Sequence, residues 1–375
     1  MIPVCKPWLP GREKEYVNYA LNTNWISSSG KYIEKFEENF SKFCGVKYGV
    51  SCSSGFGALH LACVALGLKK GDEVIAPTFT MAASINSIIL TGAKPVLVDC
   101  DSETYCIDVT KIKEKITNKT KAIMPVHVYG HVCDMDPIME LAKDNNLFVI
   151  EDAAEAHGGE YKEKKAGSIG DIGCFSFYAN KILTTGEGGM CVTNNEKLAE
   201  KMKSLRNHCL SRGERRFLHE DVGFNYRLTN IQAAIGTAQM ENVEKLVEAR
   251  RNVGIRYNKE LKGTKELILP VEKNYAKNIY WMYAVVLSDK IKKSREEVMK
   301  KLKENGIDTR SFFTPMHQQP AYTEKKFENV PDCSGDFPVA DRIGKKGFYL
   351  PSSSNITDEE IKIVCDSLKK ILFEK

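Results

Sequence analysis

One rhythm constrains the 375-residue chain more than any other feature. Short apolar segments, "EVIAPTF", "KPVLVD", "KAIMPVHV", "LFVIED", "DIGCFSF" and "GGMCVT", recur between residues 73 and 193. Most are separated by stretches long enough for a helix, such as "DPIMELAKDNN" between the third and the fourth. Strands alternating with helices predict an α/β chain built on a mainly parallel sheet covered on both faces. In such sheets ligands collect beyond the carboxyl ends of the strands.

From about Arg250 the rhythm changes. "KKSREEVMKKLKENG" reads as an amphipathic helix closed by Gly306, "YWMYAVVL" as a strand and "TDEEIKIVCDSLKKIL" as a capped terminal helix. A large domain over 1–245 and a smaller α+β domain over 246–375 are expected. The long helical pattern "NIQAAIGTAQMENVEKLVEARRNVGIRYNKEL" joins them. The lysine-rich "KIKEKITNKTK" reads as the solvated face of a helix.

Composition narrows the function. The 54 basic and 49 acidic residues leave a net charge of +5, spread along the chain rather than gathered into a stripe, which argues against nucleic-acid binding. No apolar run approaches the roughly 18 residues of a membrane span, and the start lacks the basic head and apolar core of a signal peptide. A cytoplasmic location is expected. Twelve cysteines contain no C-x-x-C pair, so they read as reduced, mostly buried small hydrophobes and no metal site is expected.

The segment "GCFSFYANKILTTGEGG" ends an apolar run on Lys181 and then enters a threonine- and glycine-rich loop. A lysine just past a strand is ordinarily solvated; three neighbours give this one a second reading. Asp152 ends "LFVIED" at the ligand-binding edge of the sheet, where it can cap a helix or hold a proton on a heteroaromatic nitrogen. Ser176 can donate to a phosphate, and Phe79 can stack on a flat ring or simply fill the core. In "SSGFGALHLACVALGL", glycines open a helix whose free N–H groups either cap locally or suit an anion. Together these residues describe a pyridoxal phosphate (PLP) site, with a lysine to bind the cofactor covalently and an acid to keep its ring an electron sink. The same stretch lacks G-x-G-x-x-G, which disfavours a dinucleotide-binding dehydrogenase.

The chain resembles the DegT/DnrJ/EryC1 sugar aminotransferases, which have the aspartate aminotransferase (type I) fold. The resemblance rests on "WISSSGKYIEKFE", "GDEVIAPTFT", "HVYGHVCDMDPI", "EDAAEAHGGEYKEKKAGSIGD", "FSFYANKILTTGEGG", "GFNYRLTNIQAAIG" and "GIDTRSFFTPMHQQPAY", and so spans essentially the whole chain. It implies PLP as cofactor, L-glutamate as donor and a nucleotide-linked 4-keto-6-deoxy sugar as acceptor. GDP-4-keto-6-deoxy-mannose is the first choice, and a UDP- or dTDP-linked glucose derivative the alternative. A PLP-bound regulatory protein without turnover is a further alternative. Some relatives that dehydrate sugars carry histidine where this chain has Lys181.

By the same resemblance Lys181 is the covalent lysine and proton shuttle, Asp152 pairs with the pyridine nitrogen, and Glu155 lies near the ring hydroxyl. Phe79 stacks on the ring. Ser176 and the backbone at Gly55 and Phe56 hold the phosphate, and Asn225 reaches in from the second subunit of a homodimer. Arg227, Arg310 and His317 are candidates for the nucleotide sugar. Phe56 stands where the family commonly has threonine, which shifts the phosphate contact to Ser54 or to backbone N–H groups. Leu183 replaces an isoleucine at little cost in volume.

Overall fold

Each of the six apolar segments becomes a strand of one seven-stranded sheet in the computed structural model, which describes residues 1–211, 217–324 and 326–374. The strand order is Tyr48–Cys52, Gly189–Thr193, Ile172–Ser176, Phe148–Asp152, Thr120–Ile123, Glu73–Pro77 and Lys94–Val98. Six strands run in one direction, and Gly189–Thr193 runs antiparallel to both of its neighbours. Helices such as Gly55–Ala65 and Met135–Asn145 cover the sheet. The strand Tyr48–Cys52 has no counterpart among the expected ones. Its sequence "YGVSC" carries one aliphatic residue, and it is buried between the strand Gly189–Thr193 and the helix Lys31–Cys44, which passes against Gly49 and Ser51.

A second layer is a four-stranded sheet in the order Leu267–Ile268, Tyr283–Leu287, Gly347–Leu350 and Arg310–Ser311. The helices Val243–Leu261, Arg295–Glu304 and Asp358–Phe373 share a core with it around Tyr257, Leu302, Phe348 and Leu368. Two of these helices begin with capping boxes, Ser294 with Glu297 and Thr357 with Glu360, as their sequences suggest. Gly306 follows the middle helix with φ +77°, a conformation glycine adopts without strain.

Two details differ from the reading of the sequence. The long helical pattern is two helices, Asn230–Met240 and Val243–Leu261, broken at Glu241 and Asn242. The lysine-rich segment forms two 3₁₀ turns, Val109–Lys111 and Lys113–Lys115, rather than an α-helix. Asp108 caps the first turn, and Ile116 is already extended, so only a few residues remain for helix. The helix Val243–Leu261 joins the two layers: Leu246 and Val247 face the main core, and Val253, Tyr257 and Leu261 face the second. The first residues also join the second layer: Ile2 pairs with Ile307, and Ser352 N–H donates to Val4 C=O at 2.8 Å.

Candidate active site

The parallel sheet brings its chemistry together by ending neighbouring strands at one edge. Asp152 is the last residue of Phe148–Asp152 and Ser176 the last of Ile172–Ser176, and these strands pair directly. Beyond Ser176 the chain turns back on itself. Thr184 Oγ1 and Thr185 N–H both donate to Phe177 C=O at 3.0 Å, while Lys181 N–H donates to Tyr178 C=O at 2.9 Å. The threonines thus fold the loop so that Lys181 points back over the sheet edge.

The result is a cleft of about 320 Å³ lined by Ser54, Gly55, Phe56, Asp152, Glu155, Ser176 and Lys181, with Met81, Asn180, Trp281 and Tyr349 around them. The Lys181 amine lies 3.9 Å from Glu155 Oε1 and 3.6 Å from the centre of the Trp281 ring. Burial pushes the amine below the usual lysine range, against the opposing pull of Glu155 and Asp152. That favours the neutral form that can attack a carbonyl. Burial also pushes the two carboxyls up, Glu155 to about 7.

A hydrogen-bond chain aims Asp152. Ser84 Oγ donates to Asp152 Oδ2 at 2.7 Å and itself accepts from Thr80 Oγ1 at 2.8 Å, while Ala154 N–H donates to Oδ1 at 3.2 Å. Tyr129 N–H fixes Glu155 Oε2 at 2.8 Å. Beneath them the fully buried Glu151 accepts from His127 Nε2 at 3.0 Å and from the N–H groups of Gly167, Ile169 and Gly170. Cys133 N–H donates to His127 Nδ1, which leaves Nε2 as the protonated nitrogen.

The other wall fits a phosphate. Ser54 caps the helix Gly55–Ala65, accepting from Gly57 N–H at 3.0 Å, and the first helical turn has no acidic residue. The N–H groups of Gly55 and Phe56 belong to that first turn and have no intrahelical acceptor. Gly55 is sterically required: a Cβ there would lie 2.6 Å from Ser176 Cβ. Asn180 Oδ1 is buried without a partner at the rim of the same cleft. An anion cradle, an ionisable acid and a buried amine around one cavity are what PLP needs.

Five of the expected residues do not line the cleft of their own chain. Phe79 is fully buried against Tyr129, Phe312 and Phe313 and does not line the cleft, because it faces the core while Met81, two residues on and 55% exposed, lines the cavity. The expected ring contact of Phe79 is therefore corrected. His317 is held between Thr78 Oγ1 at 2.7 Å and Asp341 Oδ1 at 2.8 Å and stacks on Phe337, so both its nitrogens are engaged away from the cavity. Arg310 is exposed beside Asp308, on a strand in register with Tyr349 of the cleft. Asn225 is exposed, and its Oδ1 accepts from Arg227 Nε at 3.0 Å and from a terminal nitrogen at 2.9 Å. Neither lines the cleft of its own chain. Ser84, Thr80, Met81 and Trp281 carry no sequence signal of their own. Only the distance of "TMAAS" past a strand end hints at the first three.

The sequence pattern of the DegT/DnrJ/EryC1/StrS aminotransferase family matches residues 9–369. The chain belongs to that family. It is 45% identical to the GDP-perosamine synthase of Caulobacter vibrioides over 99% of this chain and 98% of that protein. It is 44% identical to the GDP-perosamine synthase of Escherichia coli O157:H7 over 100% of this chain and 99% of that one. An aminotransferase structure from Psychrobacter cryohalolentis superposes with a TM-score of 0.90 at 31% identity, covering 98% of each chain. The fold is thus the type I fold of PLP enzymes, and this aminotransferase uses PLP to move an amino group between a donor and a sugar. Among the described residues no helix is long and apolar enough to cross a membrane.

Proposed function

We propose that this aminotransferase moves the amino group of L-glutamate to C4 of GDP-4-keto-6-deoxy-mannose, giving GDP-perosamine. The observation that carries the reading is the similarity to GDP-perosamine synthases along the whole chain, with Lys181 and Asp152 meeting in the cleft.

Bound in the cleft, PLP supplies an electron sink for the carbon that loses or gains a proton. Lys181 Nζ would bind the cofactor and, as a free amine, would take the proton from Cα of glutamate. In the return half it delivers a proton to C4 of the sugar. Asp152 would keep the ring nitrogen protonated, and Glu155 would hold the ring hydroxyl. Ser54, Ser176 and the N–H groups of Gly55 and Phe56 would hold the phosphate, and Met81, rather than Phe79, would cover the ring. Arg310, at the rim beside Tyr349, is suited to the diphosphate of the sugar nucleotide.

Asn225 and Arg227 form one hydrogen-bonded unit that does not line their own chain's cleft, which supports a homodimer in which they serve the neighbouring site. A cytoplasmic enzyme is consistent with a nucleotide-linked substrate. The test is an amination assay with glutamate across GDP-, UDP- and dTDP-linked 4-keto-6-deoxy sugars. The highest kcat/KM is expected for GDP-4-keto-6-deoxy-mannose. A higher value for a glucose derivative moves the reading to the UDP- or dTDP-linked alternative, and no amination of any sugar overturns it.

A further inference from the structure

Lys181 Nζ rests over the indole face of Trp281, 3.6 Å from the ring centre and inside the distance at which a cation and an aromatic quadrupole attract. The ring is held by an unusual number of fixings. Its N–H donates to the carbonyl of Asn180 at 2.9 Å, so it is tied to the residue that precedes the lysine. Its backbone carbonyl accepts from Arg250 at 2.5 Å, and Arg250 is 2% exposed and also reaches Ser354 Oγ and Cys5 Sγ. Cys5 Sγ donates in turn to Asn180 C=O at 3.5 Å. Trp281, Asn180, Cys5 and Arg250 therefore close a ring of contacts around the lysine.

Backbone conformation is committed to the same end. Tyr280 has φ +48°, rare for a residue with a side chain. The 280–281 segment also passes so close to Gly130 that a Cβ there would stand 2.7 Å from Trp281 N. Such constraints persist where the surroundings over-determine them.

We infer that Trp281 is a positioning residue whose indole face seats the Lys181 amine whenever the amine is not joined to the cofactor, fixing where the proton shuttle waits between transfers. The inference rests on Lys181 being the covalent lysine of the proposed function. The other groups facing the amine are Asp152 and Glu155 at the sheet edge, Cys5 from the first segment, Arg250 from the helix Val243–Leu261 and His157 in the core. Glu187 and Tyr349 complete the cleft wall. An aromatic face favours the charged amine, so replacing it with an apolar side chain without a π system lowers the pH at which the amine loses its proton.

The test labels the cofactor-free protein with acetic anhydride across the pH scale and quantifies acetylation of the Lys181 peptide. The wild type is compared with Trp281→Phe, which keeps a ring face, and Trp281→Met, which keeps bulk alone. The labelling midpoint of Trp281→Phe is expected close to that of the wild type, and that of Trp281→Met lower by about half a pH unit or more. Equal midpoints in all three, or an upward shift in Trp281→Met, overturn the seat. If Trp281→Met does not fold, fluorescence decides. In a Trp8→Phe, Trp25→Phe background Trp281 is the remaining tryptophan, and its emission must titrate with Lys181 labelling and stop doing so in Lys181→Met. Emission insensitive to that titration overturns the inference. The labelling is read without cofactor or turnover, so a protein that labels as expected yet aminates no sugar sinks the proposed function and leaves the seat standing.

Discussion

The Glu155 carboxylate and the Lys181 amine lie 3.9 Å apart, and burial drives them in opposite directions on the pH scale. The acid rises to about 7 and the amine falls below the usual lysine range. Both shifts favour the uncharged forms, the acid holding its proton and the amine free to accept one.

That pair makes stability pH-dependent. Folded Glu155 keeps its proton to about pH 7, whereas the unfolded side chain releases it near 4.5. Between those values the folded state binds more protons, so stability falls as pH rises through the window. In urea unfolding of the cofactor-free protein, the wild type should lose on the order of 1–3 kcal/mol more than Glu155→Gln between pH 4.5 and 7.5. A difference between the two proteins that stays constant with pH removes Glu155 as its source.

Lys181→Ala should retain the fold yet hold no cofactor that borohydride can fix to the chain, and should show no turnover. Absorbance and mass spectrometry of the reduced protein give the answer. A fixed adduct in the variant would transfer the covalent role to another residue.

Asp152→Asn should still bind PLP but turn over at least about a hundredfold more slowly, since an amide no longer holds the ring nitrogen protonated. Ser84→Ala removes one hydrogen bond to the same carboxylate and should cost about tenfold in kcat. Near wild-type turnover in Asp152→Asn would return that residue to a helix-capping role.

Gly55→Ala places a Cβ against Ser176 at a distance that real side chains do not tolerate, so the phosphate cradle must open. PLP affinity is expected to fall at least about tenfold, with the melting temperature of the cofactor-free protein changed far less. Unchanged affinity in equilibrium dialysis would show that the phosphate sits elsewhere.

The shared-site reading has its own test. Lys181→Ala and Asn225→Asp should each be nearly inactive, the second because a carboxylate repels the cofactor phosphate. Unfolded, mixed and refolded together, they should recover roughly a quarter of wild-type activity, because half the dimers are mixed and each mixed dimer has one sound site. No recovery, with subunit exchange demonstrated, would place Asn225 in its own chain's site.

The sheet was legible because buried parallel strands must be near-continuously apolar, and the six segments are. The strand Tyr48–Cys52 was not, because its burial comes from its partner strand and the helix Lys31–Cys44. Lys181, Asp152 and Ser176 could be placed at the sheet edge by counting to the ends of strands. Phe79 could not be separated from Met81 in the same way: past the strand end the chain bends, and alternation no longer tells which side chain meets the cavity. Trp281 was out of reach because its role depends on contacts with Asn180 and Arg250, which are 101 and 31 residues distant in the chain.

The bridge between Ile2 and Ile307 sets an order of assembly. It closes a very long loop, and the entropy of bringing such distant segments together is repaid only when the C-terminal layer is already in place to receive them. The segment that carries Cys5 to the lysine loop is therefore among the last pieces to settle. The wall of the cavity that Cys5 reaches through Asn180 is thus built from segments that the chain brings together only across hundreds of residues, and a cut or insertion in the first few residues would be felt at the amine.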